Sequence, residues 1–112
     1  MASKVSCGQE IAGDGAFSLA MIADYRDSLA TYGAAFYRNL FWEAGMGQLL
    51  YLEAEEAGIR ATGIGCYFDD PVHAAFGVVS REWQSFYHFT VGAPVEDRRI
   101  STLPAYNFDE KP

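Results

Sequence analysis

The sequence predicts an α+β fold of mixed helix and sheet layers, with a long central helix packed on a small sheet. Three observations carry this expectation. Ala16-Phe-Ser-Leu-Ala-Met-Ile-Ala23 is an unbroken apolar run between Asp14-Gly15 and Asp24, which reads as a buried strand. Tyr37, Phe41, Ala44, Gln48, Tyr51 and Leu52 then recur at helical spacing within the stretch 35–57. Finally, Gln84 to Val91 alternates and contains Phe86, Tyr87, Phe89 and Val91, which favours a strand ending at Gly92. The order strand, long helix, strand, short helix, strand suits a layered structure and reads as half of a larger sheet.

Each element has its own local reason. Residues 1–14 are rich in Gly, Ser and charge and are expected to be extended or flexible. Ser28 to Tyr32 reads as a helical turn, stopped by Gly33. The long helix would run for about 33 Å at 1.5 Å per residue, and Gly58 falls where a glycine just past the last turn ends a helix. Gly45 and Gly47 inside it each cost about 1 kcal/mol relative to alanine, which suggests a crowded interface that uses their missing side chains. Ile59 to Cys66 reads as a strand or strand end. Asp69-Asp70-Pro71 starts a short helix to Phe76 that Gly77 closes. Pro94, Pro104 and Pro112 mark an extended tail, with 100–112 expected to be extended or flexible.

Composition narrows the function classes. At 112 residues the chain has room for one domain with a modest core, and its apolar half and 15% aromatic content suffice to fill one. Eight Lys plus Arg against fifteen Asp plus Glu give a net charge of -7, which disfavours a nucleic-acid backbone or an anionic membrane as partner. No apolar run approaches the roughly 20 residues of a membrane span, and the opening Met1-Ala-Ser-Lys-Val-Ser has no apolar signal region, so the cytoplasm is the expected location. Cys7 and Cys66 are too few for a disulfide framework and read first as reduced thiols, with a single bridge left open.

The segment Gly58-Ile-Arg-Ala-Thr-Gly-Ile-Gly-Cys-Tyr-Phe-Asp-Asp70 holds the best candidate site. Gly63 and Gly65 have no Cβ, so the amides around Ile64 and Cys66 could meet a flat ring with polar edges. Taken alone, the pair reads first as a turn that uses glycine for its backbone geometry. Arg98 and Arg99 offer planar forks of donors suited to a phosphate, or two solvated partners for Glu96 and Asp97.

This segment lies between Phe41-Trp-Glu-Ala-Gly-Met-Gly-Gln-Leu-Leu-Tyr-Leu-Glu-Ala-Glu55 and Gln84-Ser-Phe-Tyr-His-Phe-Thr-Val-Gly-Ala-Pro-Val-Glu-Asp97. Together the three resemble the C-terminal half of the nitroreductase superfamily, most closely its SagB-type dehydrogenase branch. The resemblance spans roughly Cys7 to Tyr106 and implies one nitroreductase-like domain over 1–112, a partial one. It implies FMN as cofactor, with Gly63, Ile64, Gly65 and Cys66 against the isoalloxazine ring and Arg98 or Arg99 at the flavin phosphate. It further implies two-electron transfer between NAD(P)H or a substrate and a nitroaromatic, quinone or peptide heterocycle. The implied partner is a second copy or a polypeptide supplying the N-terminal half. The Arg-Arg-Ser-type cluster that the family places in its N-terminal helices does not occur in this sequence. The alternative is therefore a catalytically silent dimerisation or docking module.

No catalytic side chain and no metal site are expected. His73 and His88 read as packing or surface residues, and Cys66 as a pocket wall. Glu53, Glu55 and Glu56 read as a solvated acidic face, and Asp69 and Asp70 as a helix start. Phe36, Tyr37, Phe41 and Trp42 suit a core or a subunit interface.

Overall fold

The strand Trp83–Gly92 (β3) organises the chain, because it is the middle strand of a three-stranded antiparallel sheet. The computed structural model describes residues 1–43 and 46–103, the Glu43 side chain excepted. Phe17–Asp24 (β1) pairs with β3 from Phe17 opposite Val91 to Asp24 opposite Trp83. Arg60–Ile64 (β2) pairs with its other edge, from Arg60 opposite Gly92 to Ile64 opposite His88. As the middle strand, β3 is buried on both faces, and Phe86, Phe89 and Val91 supply much of the core. β1 is half-buried rather than buried as its apolar run suggests, because it is an edge strand within this chain.

One face of the sheet carries Tyr37–Glu43 (α4) and Gly47–Glu56 (α5), and Arg26–Tyr32 (α3 in chain order) leads into them, packed on the turn that precedes α4. The run expected over 35–57 thus appears as a 3-10 turn at Ala34–Phe36 followed by α4 and α5. Residues 44 and 45 between the two helices, with the Gly45 expectation, lie outside the described residues. Gly47 and Ala54 are the buried residues of α5 and turn the same way as Tyr51, whose ring meets Phe89 edge-on at 4.9 Å. α5 ends as the sequence predicts. Gly58 takes φ +72°, and the amides of Gly58 and Ile59 close back on the carbonyls of Glu55 and Ala54.

The other face carries Ala2–Val5 (α1), Ile11–Asp14 (α2) and Asp69–Phe76 (α6), whose Val72 is fully buried. Gly77 at φ +69° ends α6 with the same double closure, onto His73 and Ala74. The start of the chain corrects the expectation of an extended or flexible segment over 1–14. It forms two single turns of helix tied to the sheet layer. The Phe68 amide donates to the Val5 carbonyl at 2.8 Å and the Thr90 hydroxyl to the Ile11 carbonyl at 3.1 Å. The reduced-thiol reading is corrected too, since Cys7 and Cys66 form a disulfide with Cα atoms 6.0 Å apart. Two thiols 59 residues apart in sequence meet because α1 and α2 fold back beside the end of β2. Of the tail expected to be extended over 100–112, residues 100–103 carry no regular structure and 104–112 lie outside the described residues.

Candidate functional site

The glycine segment sits where β2 leaves the sheet. Antiparallel pairing turns the Gly63 N–H away from β3, and the Tyr51 hydroxyl of α5 accepts it at 2.8 Å. The space where Gly63 would carry a Cβ is filled by the Tyr87 ring, whose Cζ lies 2.8 Å from that position. Gly63 is therefore a notch that lets Tyr87 and Tyr51 pack against the strand. Ile64 points to the opposite face and is buried. Gly65 differs from both. It is exposed, its amide makes no hydrogen bond to the described protein, and the nearest atom to its missing Cβ is Tyr87 Cε2 at 4.0 Å. Cys66 is also exposed, its carbonyl accepting from Gln9 Nε2 at 3.1 Å and its sulfur taken by Cys7.

The two arginines are placed differently from one another. Arg99 grips Asp97, Nε to Oδ1 at 3.0 Å and Nη2 to Oδ2 at 2.7 Å. That grip, helped by the Arg99 backbone amide, holds the Asp97 carboxyl below its ordinary range. Arg98 is exposed and makes no ion pair among the described residues. Both follow Gly92, which the register sets opposite Arg60, at the far end of β2 from Ile64. No hydrogen bond among the described residues joins the arginines to the glycine segment.

A polar cluster that sequence reasoning missed surrounds Ser85. His88 Nε2 lies 2.8 Å from Ser85 Oγ, the Ser85 amide donates to His73 Nε2 at 3.3 Å, and the Tyr67 hydroxyl donates to the Ser85 carbonyl at 2.9 Å. The Tyr67 and His88 rings stack at 3.9 Å with only 9° between planes. Ser85 and His88 are three residues apart, a spacing that would send them to opposite faces of a regular strand. The irregularity opposite Met21 and Ile22 leaves Phe86 unpaired and returns both to one face. Burial pushes the His88 imidazole below its usual value, with Asp69 pulling the other way, and burial raises Tyr67. Ser85 is only 2% exposed, so no substrate reaches its hydroxyl and the cluster holds the sheet to α6. Nothing in the spacing of His73, Ser85 and His88 announces it, because a bulge has no reliable mark in a strand's alternation.

Among the described residues no group of three or more His, Cys, Asp or Glu side chains is placed to hold a metal ion, and no helix is long and apolar enough to cross a membrane.

No family model matches the chain, and no curated protein does. Among solved structures it is similar to the crystal structure of a candidate nitroreductase from Anabaena variabilis, at 33% identity and a TM-score of 0.76. The match covers 83% of this chain and 19% of that one, so the chain spans about a fifth of that protein's length. The helix-flanked antiparallel sheet described above is thus a nitroreductase-like fold.

Proposed function

From this nitroreductase-like fold we propose that the chain is the flavin-facing half of an FMN-dependent oxidoreductase of the SagB-type dehydrogenase kind. The 112 residues form one partial domain, completed by a second copy or by a polypeptide that carries the N-terminal half. When bound, the flavin supplies two-electron chemistry between NAD(P)H or a substrate and a nitroaromatic, quinone or peptide-heterocycle acceptor.

The observation that carries this reading is Gly65, an exposed residue with an unengaged amide and only Tyr87 Cε2 at 4.0 Å on its Cβ side, at the end of a strand braced by α5. A ring edge fits there, since the backbone can approach it without a side chain between and the Gly65 amide can donate to it. Cys66 would continue the contact through its backbone, because its sulfur is already bonded. Gly63 and Ile64 take supporting parts, the first as the notch for Tyr87 and the second as an anchor in the opposite face. Arg98 is the better phosphate ligand of the two arginines, as Arg99 would have to release Asp97.

A fluorescence titration of FMN with the purified chain tests this. The expected result is saturable one-to-one binding, weakened at least tenfold by Gly65→Val and by Arg98→Ala and little changed by Arg99→Ala. Absence of saturable binding by a folded chain would favour a second reading, a silent docking module. One observation speaks for that reading. Trp42 on α4 and Leu52 on α5 are 74% and 58% exposed, more apolar surface than two short helices carry without a partner.

A further inference from the structure

On the face of the sheet opposite the Gly63 notch, a pocket of about 190 Å³ lies between α1, α6 and the strands. Its walls are almost wholly apolar, with Val5 from α1, Val72 and Phe76 from α6 and Ile64 from β2. Met1, 81% exposed, also lines it. Among the described residues no Lys, Arg, Asp or Glu side chain lines it, and the one charge beside it is the Met1 amino terminus at its edge. One wall is His88. Its Nε2 is used by Ser85, and its Nδ1 makes no hydrogen bond to the described protein. No buried side-chain nitrogen or oxygen among the described residues lacks a partner, so Nδ1 is open to a ligand or to water rather than sealed. Burial keeps the ring neutral near pH 7, which leaves it able to meet a neutral polar group.

We propose that this pocket is a binding site for a small monocyclic aromatic molecule carrying one hydrogen-bonding group, with the ring among Val5, Leu19 and Phe76 and the polar group on His88 Nδ1. Size supports this occupant, since an apolar cavity of about 150 Å³ accepts a benzene ring and the pocket here is somewhat larger. The wall formed by the start of the chain is held in place by the Cys7–Cys66 bond, which joins the residue after Ser6 to the strand end just beyond Ile64. The site is separate from the flavin reading and stands whether or not FMN binds.

Phenol, benzene and benzoate are the probes, titrated into the disulfide-bonded chain and followed through the His88 ring and Val72 methyl resonances. Phenol is expected to saturate and to bind about fivefold tighter than benzene, the worth of one net hydrogen bond, and benzoate reports whether the Met1 amino terminus at the edge adds to binding. His88→Phe keeps a ring against Tyr67 and removes Nδ1, and it should bring phenol down to the affinity of benzene. Ala75→Leu, which narrows the pocket, should abolish binding of both. No saturable shift at His88 and Val72 in the folded protein would overturn the site, as would unchanged phenol binding in Ala75→Leu. Equal affinities for phenol and benzene in the parent chain would overturn the role of His88, a comparison that stands even if neither variant folds.

Discussion

Glycines at two buried contacts show how far a residue's role is set by its neighbours. An added Cβ at Gly47 would lie 2.6 Å from Phe89 Cε2, and Phe89 is fully buried with little room to yield. Helix propensity favours alanine over glycine by about 1 kcal/mol, whereas overpacking costs about 1–3 kcal/mol. Gly47→Ala should therefore lower stability despite the better helix former, and denaturant midpoints will check the sign. The sequence showed that Gly47 needed a reason. It could not show the reason, because Phe89 is 42 residues away and the approach depends on how α5 lies on β3.

His88 makes a second residue-scale prediction. Its folded-state value is depressed by burial, partly offset by Asp69, with the stacked Tyr67 and the nearby His73 as the other titratable neighbours. A depressed histidine contributes stability that is fully present above its unfolded value, about 6.5, and lost as pH falls through that value toward the folded one. Urea midpoints of the parent chain should drop between about pH 7 and pH 5 more steeply than those of His88→Phe. A parallel pair of profiles would remove His88 from the account.

Element ends were legible, and element partners were not. Gly58 and Gly77 close α5 and α6 where the sequence put them, because a left-handed residue just past a helix is a local need that glycine meets at little cost. The meeting of Cys7 with Cys66 has no local signal. It depends on α1 and α2 folding over the sheet, in a segment whose Gly, Ser and charge content argued for disorder. In the chain-entropy account, a bridge closing 59 residues restricts the unfolded chain by about 4 kcal/mol. The Cys7→Ser, Cys66→Ser double variant should lose stability of that order, and the parent chain should lose a similar amount on full reduction. Equal melting of the oxidised and reduced parent would contradict the staple.

At the scale of the molecule, the apolar surface is placed unevenly. Trp42, Met46, Leu49 and Leu52 are exposed on α4, on α5 and at the residue just before α5, on the side of the sheet that also holds the Gly63 notch. If this surface is where a second copy or a missing half docks, Leu52→Asp should weaken self-association at least tenfold in sedimentation runs. The fold class was legible because strand and helix periodicities are local and the glycine segment is distinctive. The candidate site was legible only as a stretch of sequence, since which of its amides is free depends on Tyr51 and Tyr87 arriving from other elements.

That distinction gives the most direct test of the central claim. Amide resonances of the chain should be followed by two-dimensional NMR as FMN is added. The account predicts that the Gly65 and Cys66 amides shift strongly and saturably, while Gly63, held by Tyr51, moves little. FMN binding that leaves Gly65 and Cys66 unmoved, or no saturable shift anywhere in a folded chain, would contradict it.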